Sequence, residues 1–451
     1  MFTYIDPVAR RAVVLFTLAS SAAFAQPSPT PISLSMGQAA TRASEKSLPY
    51  LASVVRAEQV EARINQRRAD LLPSLTGFTE TNSRTFNSAT LGIKFPTVPG
   101  QAPFFDPNGE VLGPVPTSDI RARVQTSIYD GAALARLRVA RSQSAASRTE
   151  ASQAGAAAAT QAAVAYVRVL RAEAVYDARA ADSTLAADLL RIARETLRAG
   201  TGVALDVTRA ESQLVGIRSQ LIGARVERDK ARLDLRRAIN VDLRQLITLT
   251  DPLDGGEVAI PSETEALAVA AKLRPEVVVI NAQLASAQLS ARAIRAERLP
   301  TVSAVADEGI IGKDYSRMLN TWTWGVRVSV PVFEGGRRQA REREQSLVER
   351  ELETRRNDLL AQIDVDVRSA LLDAASASEA VAAARERLRL AEQEVSQSRD
   401  RFTAGVSGNL DVTSALLGLN TARTQLVDAL ASRQLARISI ARSQGSITSL
   451  R

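Results

Sequence analysis

The sequence predicts a mainly α-helical protein with a membrane β-barrel portion, and three observations carry that expectation. Segments recur in the same order along the chain, two helical runs are far longer than a globular core uses, and strictly alternating stretches lie between the helices. The recurrence decides the architecture. Leu197 to Leu214 (LRAGTGVALDVTRAESQL) returns at Phe402 to Leu419 (FTAGVSGNLDVTSALLGL), and ADLLPSL at Ala69 to Leu75 returns as AERLPTV at Ala296 to Val302. SIYDGA at Ser127 to Ala132 is answered by PVFEGG at Pro331 to Gly336. The period is too long for a solenoid, so the chain reads as a tandem duplication with copies at residues 26–250 and 251–451.

Residues 1–25 stand outside that duplication. Arg10 and Arg11 precede a short apolar run, Ala12 to Phe24, and Ala23-Phe24-Ala25 makes an Ala-x-Ala site. A basic start, an apolar middle and small residues at the end predict a secretory signal peptide cleaved after Ala25. The run is too short to span a bilayer, which takes about 20 apolar residues. After Gln26 the longest apolar candidate is Ala151 to Val167, an Ala-rich stretch holding Ser, Gln and Thr, and no stretch reads as a transmembrane helix. A membrane crossing must therefore be made by strands.

An exported chain with no cysteine has neither disulfides nor a lipid-modified cysteine to anchor it. The absence of histidine removes the usual general base and the commonest metal ligand, so no catalytic, cofactor or metal site is predicted. The formal charge of +8 is dispersed through the helices, and with aromatics at 4% no basic patch carries interleaved rings, which argues against nucleic acid as a partner.

The helical runs come next. Ala132 to Ala199 contains no proline and one glycine, Gly155, while Gly336 to Ala404 contains no proline and no internal glycine. Each would form a rod roughly 100 Å long. Shorter runs cover Tyr50 to Leu72 (with a weaker start near Gly37), Val203 to Ala238, Ser262 to Arg298 and Asn409 to Gln444. Two short helices stacked end to end match one rod, which suggests rods packed antiparallel against stacked pairs. Gly200 and Gly405 close the rods, where left-handed geometry is cheap for glycine. Thr201, Ser407 or Asn409 can cap the following helix, and Asp206 and Asp411 fall in its first turns, where the helix dipole favours a carboxylate.

Alternation marks the strands. Ile120, Ala122, Val124 and Ile128 share one face, with Arg121, Arg123, Gln125 and Ser127 on the other. In the second copy Trp322, Trp324, Val326, Val328, Val330 and Val332 oppose Thr321, Thr323, Arg327 and Ser329. Roughly ten residues of such alternation suit a tilted membrane strand, although an ordinary half-buried hairpin alternates too. Ser74 to Asn82 and Thr301 to Ile311 supply weaker partners. The first copy is the longer, and its excess falls in the proline-rich Phe95 to Pro116, as a solvent-facing hairpin tip allows. Phe104 and Phe105 there are a binding patch or pack on the barrel rim. Four strands cannot close a barrel and an open edge is not tolerated in lipid, so copies must share one. Two copies give eight strands and a filled interior; three give twelve and a passage.

The turns RAGTGVALDV and TAGVSGNLDV, the LLPSL and RLPTV strand entries, the SIYDGA and PVFEGG exits and Arg274-Pro275-Glu276 together make the chain resemble the TolC-like outer-membrane efflux protein (OEP) family over its mature length. The resemblance implies a homotrimer with a shared twelve-stranded barrel in the outer membrane of a Gram-negative-type cell and a helical tunnel through the periplasm. It implies a passive exit duct, serving multidrug efflux or type I secretion, joined by a periplasmic adaptor to an inner-membrane transporter of the RND or ABC type. By the same resemblance the turns Gly200, Thr201, Gly202, Val203 and Gly405, Val406, Ser407, Gly408 are the adaptor-docking tips. Asp411 matches a carboxylate ringing the periplasmic gate, and Asp206 one in the other hairpin's gating network. The family pattern has a second acid where this chain has Ser414 and an arginine where it has Ser407, which implies a closed state with weaker ionic latching. Both aspartates also suit a plain role as helix-start carboxylates.

If Ile120, Val124 and Val326 face lipid, Arg121, Arg123 and Arg327 point into the barrel lumen and make it basic, while Trp322 and Trp324 sit at the lipid interface. The alternative readings are a periplasmic adaptor or a structural coiled-coil protein of a transport complex. An adaptor carries small β domains around a single hairpin, and a coiled coil alone has no use for tryptophan-bearing strands. An enzyme is not indicated. The repeat predicts that Gly405→Val strains the second tip and impairs docking more than folding; trimers that form normally with transport unchanged would refute the tip assignment.

Overall fold

The computed structural model describes residues 31–91, 100, 106, 108–256, 260–404 and 406–449. The proposed signal peptide, Phe104, Phe105 and Gly405 lie outside the described residues. The first copy runs β1 (Ile32–Leu34), α1 (Met36–Lys46), α2 (Leu48–Ala69), β2 (Ser74–Asn87), β3 (Val111–Asp130), α3 (Gly131–Arg198) and α4 (Ala204–Ala238). β4 (Ile247–Leu249) ends the first copy, and the second runs α5 (Glu263–Leu273), α6 (Pro275–Ala296), β5 (Thr301–Gly312), β6 (Met318–Ser329), α7 (Arg337–Thr403) and α8 (Asn409–Gln444).

The two rods are α3, of 68 residues, and α7, of 67. Next to α3, α2 lies along the upper part and α4 along the lower; α6 and α8 do the same beside α7. The order α2-α3-α6-α7 therefore makes one curved layer of helices beneath the strands. The expected run Ser262 to Arg298 is two helices. Arg274 takes φ −62° and ψ 119°, because the ring of Pro275 excludes the residue before it from the helical region. Its counterpart in the first copy is the break at Ser47 between α1 and α2. Both pairs have helices of 11 and 22 residues, so the duplication is preserved in backbone length as well as in sequence.

Capping at the tips differs from expectation. The N-cap positions of α4 and α8 fall on Val203 and Gly408, and neither has a side-chain cap. The first tip is closed from the other side. Gly200 is left-handed (φ +75°), and the N–H groups of Thr201 and Gly202 turn back to Thr196 O at 3.1 and 3.0 Å. The Thr201 hydroxyl also donates to Thr196 O, which takes it away from α4.

Apolar burial is strung along the seams in separate clusters, dominated by alanine in the upper half. Small side chains let backbones approach, and Gly155 is the extreme case. A Cβ there would stand 2.9 Å from Ser44 O and 3.3 Å from the Tyr50 ring, so the corner between α1 and α2 can sit on α3 only because that residue is glycine. Helix α6 has the length and apolarity to cross a membrane, yet it lies along α3 and α7 with Val277, Val279 and Ile280 buried. Its apolar surface serves helix packing.

An equatorial layer of α1, α5 and the parallel β1–β4 pair covers one side of the helices. Tyr166 of α3 fastens it. The fully buried phenol donates to Leu34 O at 2.9 Å and accepts from Asp251 N at 3.2 Å, and burial pushes its titration upward. Asp254, in the segment joining the copies, accepts from Arg433 of α8 and Arg385 of α7, and these guanidiniums hold its carboxyl below the usual range. The stability this adds is complete above the unfolded carboxylate pKa, about 3.9, and fades as pH falls through the lower folded value. Tyr166→Phe should cost about 1–3 kcal/mol, because it orphans the Asp251 N–H and leaves Leu34 O with only its bond from Thr250 N. Chemical denaturation of the purified protein checks this, and an unchanged midpoint would show that the layer does not depend on this anchor.

Candidate functional site

The second layer of strands is a four-stranded antiparallel sheet in the order β2-β3-β5-β6. Register pairs Leu75 with Val124, Ile120 with Ile310, Ala306 with Trp324 and Val302 with Val328. Because side chains alternate across the pleat, these residues share one face. That face is apolar and open: Trp322 and Trp324 are 68% and 70% exposed, and Val326 and Val328 are exposed with them. At the opposite end Tyr129 and its repeat counterpart Phe333 are exposed too. From Trp324 to Phe333 the chain advances about 30 Å at 3.3 Å per residue, or roughly 23 Å along the normal of a barrel tilted by about 40°. That matches the roughly 25 Å apolar band between the aromatic girdles of an outer-membrane barrel. Phe333 escaped the sequence reading because it follows the end of the alternating run.

The other face carries Arg121, Arg123 and Arg327, as the alternation predicted. Arg121 Nη1 donates to Asp307 at 2.7 Å, its Nε to Asp119 at 3.3 Å, and its Nη2 to the Thr321 hydroxyl at 3.0 Å. Arg123 reaches the other oxygen of Asp307 at 3.3 Å and lies over the Phe78 ring, 5.3 Å from its centroid. The expected basic lumen is instead close to balanced at this level, since Asp119, Asp307 and Glu80 share the face with the arginines. Asp307 is remote in sequence, and only the β3–β5 register places it opposite Arg123. Among the described residues, Arg327 has no side-chain partner.

At the far end of the rods, α3 turns into α4 and α7 into α8. Val203 and Leu205 of the first tip and Val406 and Leu410 of the second are exposed, as are Gly200, Thr201 and Gly408, with Gly202 half-buried. Ser407 is turned inward, its hydroxyl buried without a partner. Asn409 is buried and donates its amide to Asp206 O at 3.0 Å, which joins the two hairpins directly. Asp411 and Ser414 are exposed on one side of the first turns of α8, and Asp206 is half-buried. Among the described residues, neither the Asp206 nor the Asp411 carboxylate has a side-chain partner.

A second junction between the copies lies about 25 Å above the first tip, at 1.5 Å per residue of α3. Asp182 of α3 is fully buried and accepts from Arg423 of α8 at 2.6 Å and from Arg179 at 3.2 Å. Arg179 continues to the Thr424 hydroxyl at 2.9 Å, and the Asn420 amide, with its nitrogen turned inward, donates to Asp182 at 2.8 Å. A carboxylate in the helical register of Leu185 and Leu189 was the sequence signal for this network, and it went unread.

A sheet with an apolar outer face and a polar inner face, set on long helices, defines a membrane conduit. The sequence matches the family "Outer membrane efflux protein" over residues 42–241 and 266–446, and the chain belongs to that family. It is an outer-membrane efflux channel of the TolC type and not an enzyme. Three solved structures show the same fold. A membrane protein from Pseudomonas aeruginosa aligns with a TM-score of 0.73 at 17% identity, covering 91% of this chain and 93% of the other. The Campylobacter jejuni CmeC outer membrane channel gives 0.71 at 16%, covering 91% and 85%. The open state of the Neisseria gonorrhoeae MtrE outer membrane channel gives 0.67 at 19%, covering 91% and 88%. No curated protein matches the sequence.

Removing Asp182 leaves two arginines facing a buried gap. Asp182→Ala should destabilise the protein by about 3–5 kcal/mol, and the isosteric Asp182→Asn by less, because its amide keeps an acceptor for Arg423. Thermal unfolding of the two variants checks the order; equal melting points with the parent would mean that the network contributes nothing.

Proposed function

We propose that three copies of this chain form the exit duct of a tripartite efflux pump or type I secretion system. The observation that carries this reading is the sheet itself: β2 and β6 each have one edge with no partner among the described residues, while the outer face of the sheet is apolar along β6. Lipid offers no hydrogen bonds to an open edge, so β6 of one copy pairs with β2 of the next, and three copies close a barrel of twelve strands. The same pairing places α7 of one copy beside α2 of its neighbour and continues the helical layer into a tunnel. Residues 1–25 direct export and are removed, and the two copies of the duplication occupy residues 26–250 and 251–451.

The tips are the periplasmic entrance. Val203, Leu205, Val406 and Leu410 offer apolar knobs to the hairpins of a periplasmic adaptor, which couples the duct to an inner-membrane transporter of the RND or ABC type. Asp411, threefold repeated, forms an acidic ring that attracts cations to the closed entrance, with Asp206 and Ser414 beside it and Ser407 supporting the turn from inside. Among the described residues Asp206 and Asp411 have no arginine partner, so the closed state is held by packing, by the Asn409 to Asp206 bond and by the buried Asp182 network above. The duct does no chemistry on its cargo, and the transporter sets the cargo class.

The absence of cysteine makes the docking claim directly testable. Ser407 points inward, so the probe belongs at Val406, which is 70% exposed. In intact cells, a cross-linker on Val406→Cys should capture a periplasmic adaptor, identified by mass spectrometry. No adaptor captured, with the cysteine shown to be reactive and the pump expressed, would remove the docking role of the tip.

A further inference from the structure

Directly beneath the strands, at the top of the helical layer, a cavity of about 350 Å³ is walled by α2, α3, α6 and α7. Arg63 and Arg67 of α2, Arg136 of α3 and Arg341 of α7 line it, with Glu297 and Gln143. Three features place it on the lumenal side. On α3, Arg136 and Gln143 lie about 100–140° around the helix from Gly155 and Tyr166, which carry the equatorial layer, by the 100° step of the helix. On α2, Arg63 and Arg67 are likewise displaced from Val54 and Glu58, which face the cavity beside α1. Arg136 also pairs with Asp130, at 3.4 Å, and Asp130 sits opposite Thr301 on the polar face of the sheet. The equatorial layer has to lie outside, because inside it would plug the conduit.

The charge here is not balanced as it is in the barrel. Arg341 is taken by Glu297, through contacts of 2.7 and 3.1 Å. Arg136 and Arg67 have looser partners at 3.4 and 3.6 Å, Asp130 and Asp70, and both arginines keep much of their side chain exposed. Arg63 is exposed and, among the described residues, has no partner. The cavity is therefore lined by four guanidiniums and one carboxylate, with Arg63 unpaired and Arg67 and Arg136 only loosely paired to Asp70 and Asp130, in a volume suited to a small polar group. Guanidinium forks match the planar or tetrahedral oxygen pairs of carboxylates and phosphates.

We propose that this arginine collar is a lumenal binding site for oxyanionic groups, carboxylate or phosphate, on cargo passing from the helical tunnel into the β-barrel. Three copies would repeat it around the axis, so that cargo with several anionic groups engages more than one. The collar, and not the paired barrel arginines Arg121 and Arg123, then sets anion preference in the upper conduit. This inference rests on the trimeric-duct reading.

The test uses the purified full-length trimer in planar bilayers, with sodium tripolyphosphate or citrate added on the extracellular side, from which the collar is reached without passing the tips. Either anion should reduce the wild-type current, and comparison of the two separates phosphate from carboxylate preference. R63E/R67E should raise the half-blocking concentration by on the order of tenfold or more, since each lost charge-assisted contact counts for about a factor of ten. It should also move the reversal potential in a salt gradient toward cation selectivity. R63K/R67K keeps the charge and should keep most of the block, which separates binding from misfolding. Equal block in R63E/R67E and wild type, with trimers intact, would overturn the collar while leaving the duct standing. No conductance from wild-type trimers would overturn the duct and the collar with it.

Discussion

Everything in this protein follows from two strand edges that cannot be left bare. A four-stranded sheet whose outer face carries Trp322, Trp324, Val326 and Val328 belongs in lipid, and lipid cannot satisfy the main-chain groups of β2 and β6. Closure by neighbouring copies is the only arrangement that meets both demands. The consequence reaches down the rods, because β2 follows α2 and β6 leads into α7. Pairing the edges would set α2 of one copy beside α7 of the next, and both helices carry exposed apolar side chains, Leu51 and Val55 on α2 and Leu347 and Leu360 on α7. Lower down, Val215, Ile222, Val226 and Leu233 form an exposed apolar stripe on α4 at heptad-like spacing. It has no partner within the chain and is the surface a second copy would cover. These exposed apolar residues of α2, α4 and α7 are thus intelligible as halves of a wall.

Charge follows burial in a comparable way. Where arginines are enclosed they are matched: Arg121 by Asp307 and Asp119, Arg274 by Asp366 and Glu276, and Arg423 by Asp182. An unpaired ion in those places would cost several kcal/mol. Where the wall meets open water no such matching is enforced, and Arg63 and Arg327 stand alone. The net positive charge of the chain therefore says little by itself. Its distribution, tightly matched around Arg121 in the strands and more loosely matched just beneath them, is what bears on passage.

Much of this was legible in the sequence because it rests on local periodicity. The rods showed themselves by the lack of proline and glycine, the tips by Ala-Gly turns, and the membrane strands by alternation, with α8 read at Asn409 to Gln444 as it stands. Failures came where the outcome depends on a remote partner. The β1–β4 pair is three residues on each side, too short to show a pattern, and is fixed by Tyr166 from another element. The break at Arg274 was signalled by Pro275, but the helical pattern on both sides outweighed it. The neutral lumen needed the β3–β5 register to bring Asp307 to Arg121, and Asp182 needed the packing of one copy on the other. Ser407 was read as an exposed tip residue because its neighbours are; its side chain turns in because Val406 takes the outward position.

The last step concerns the two tips, which share a sequence but not a situation. Helix α4 buries a single stripe, Ala210, Leu214, Ile217, Ala231 and Leu235, and leaves the rest of its circumference open. Helix α8 buries Val412, Ala415, Leu416, Leu419 and Ala422 in close succession and packs on both α7 and α3. The matching aspartates inherit this difference: Asp206 is half-buried and its carbonyl is held by Asn409, whereas Asp411 is exposed on the free side of α8. Duplication supplied two equal hairpins, and closing a tube from an even set of helices made them unequal, since only one can share the seam between the copies. A shift of α8 would move Asp411 and strain the Asp182–Arg423 contact together, because both sit on the same helix, within about four turns of each other. Asp411 and the α8 side of the buried network are therefore carried by one helix, and α8 links the second tip to the junction with α3.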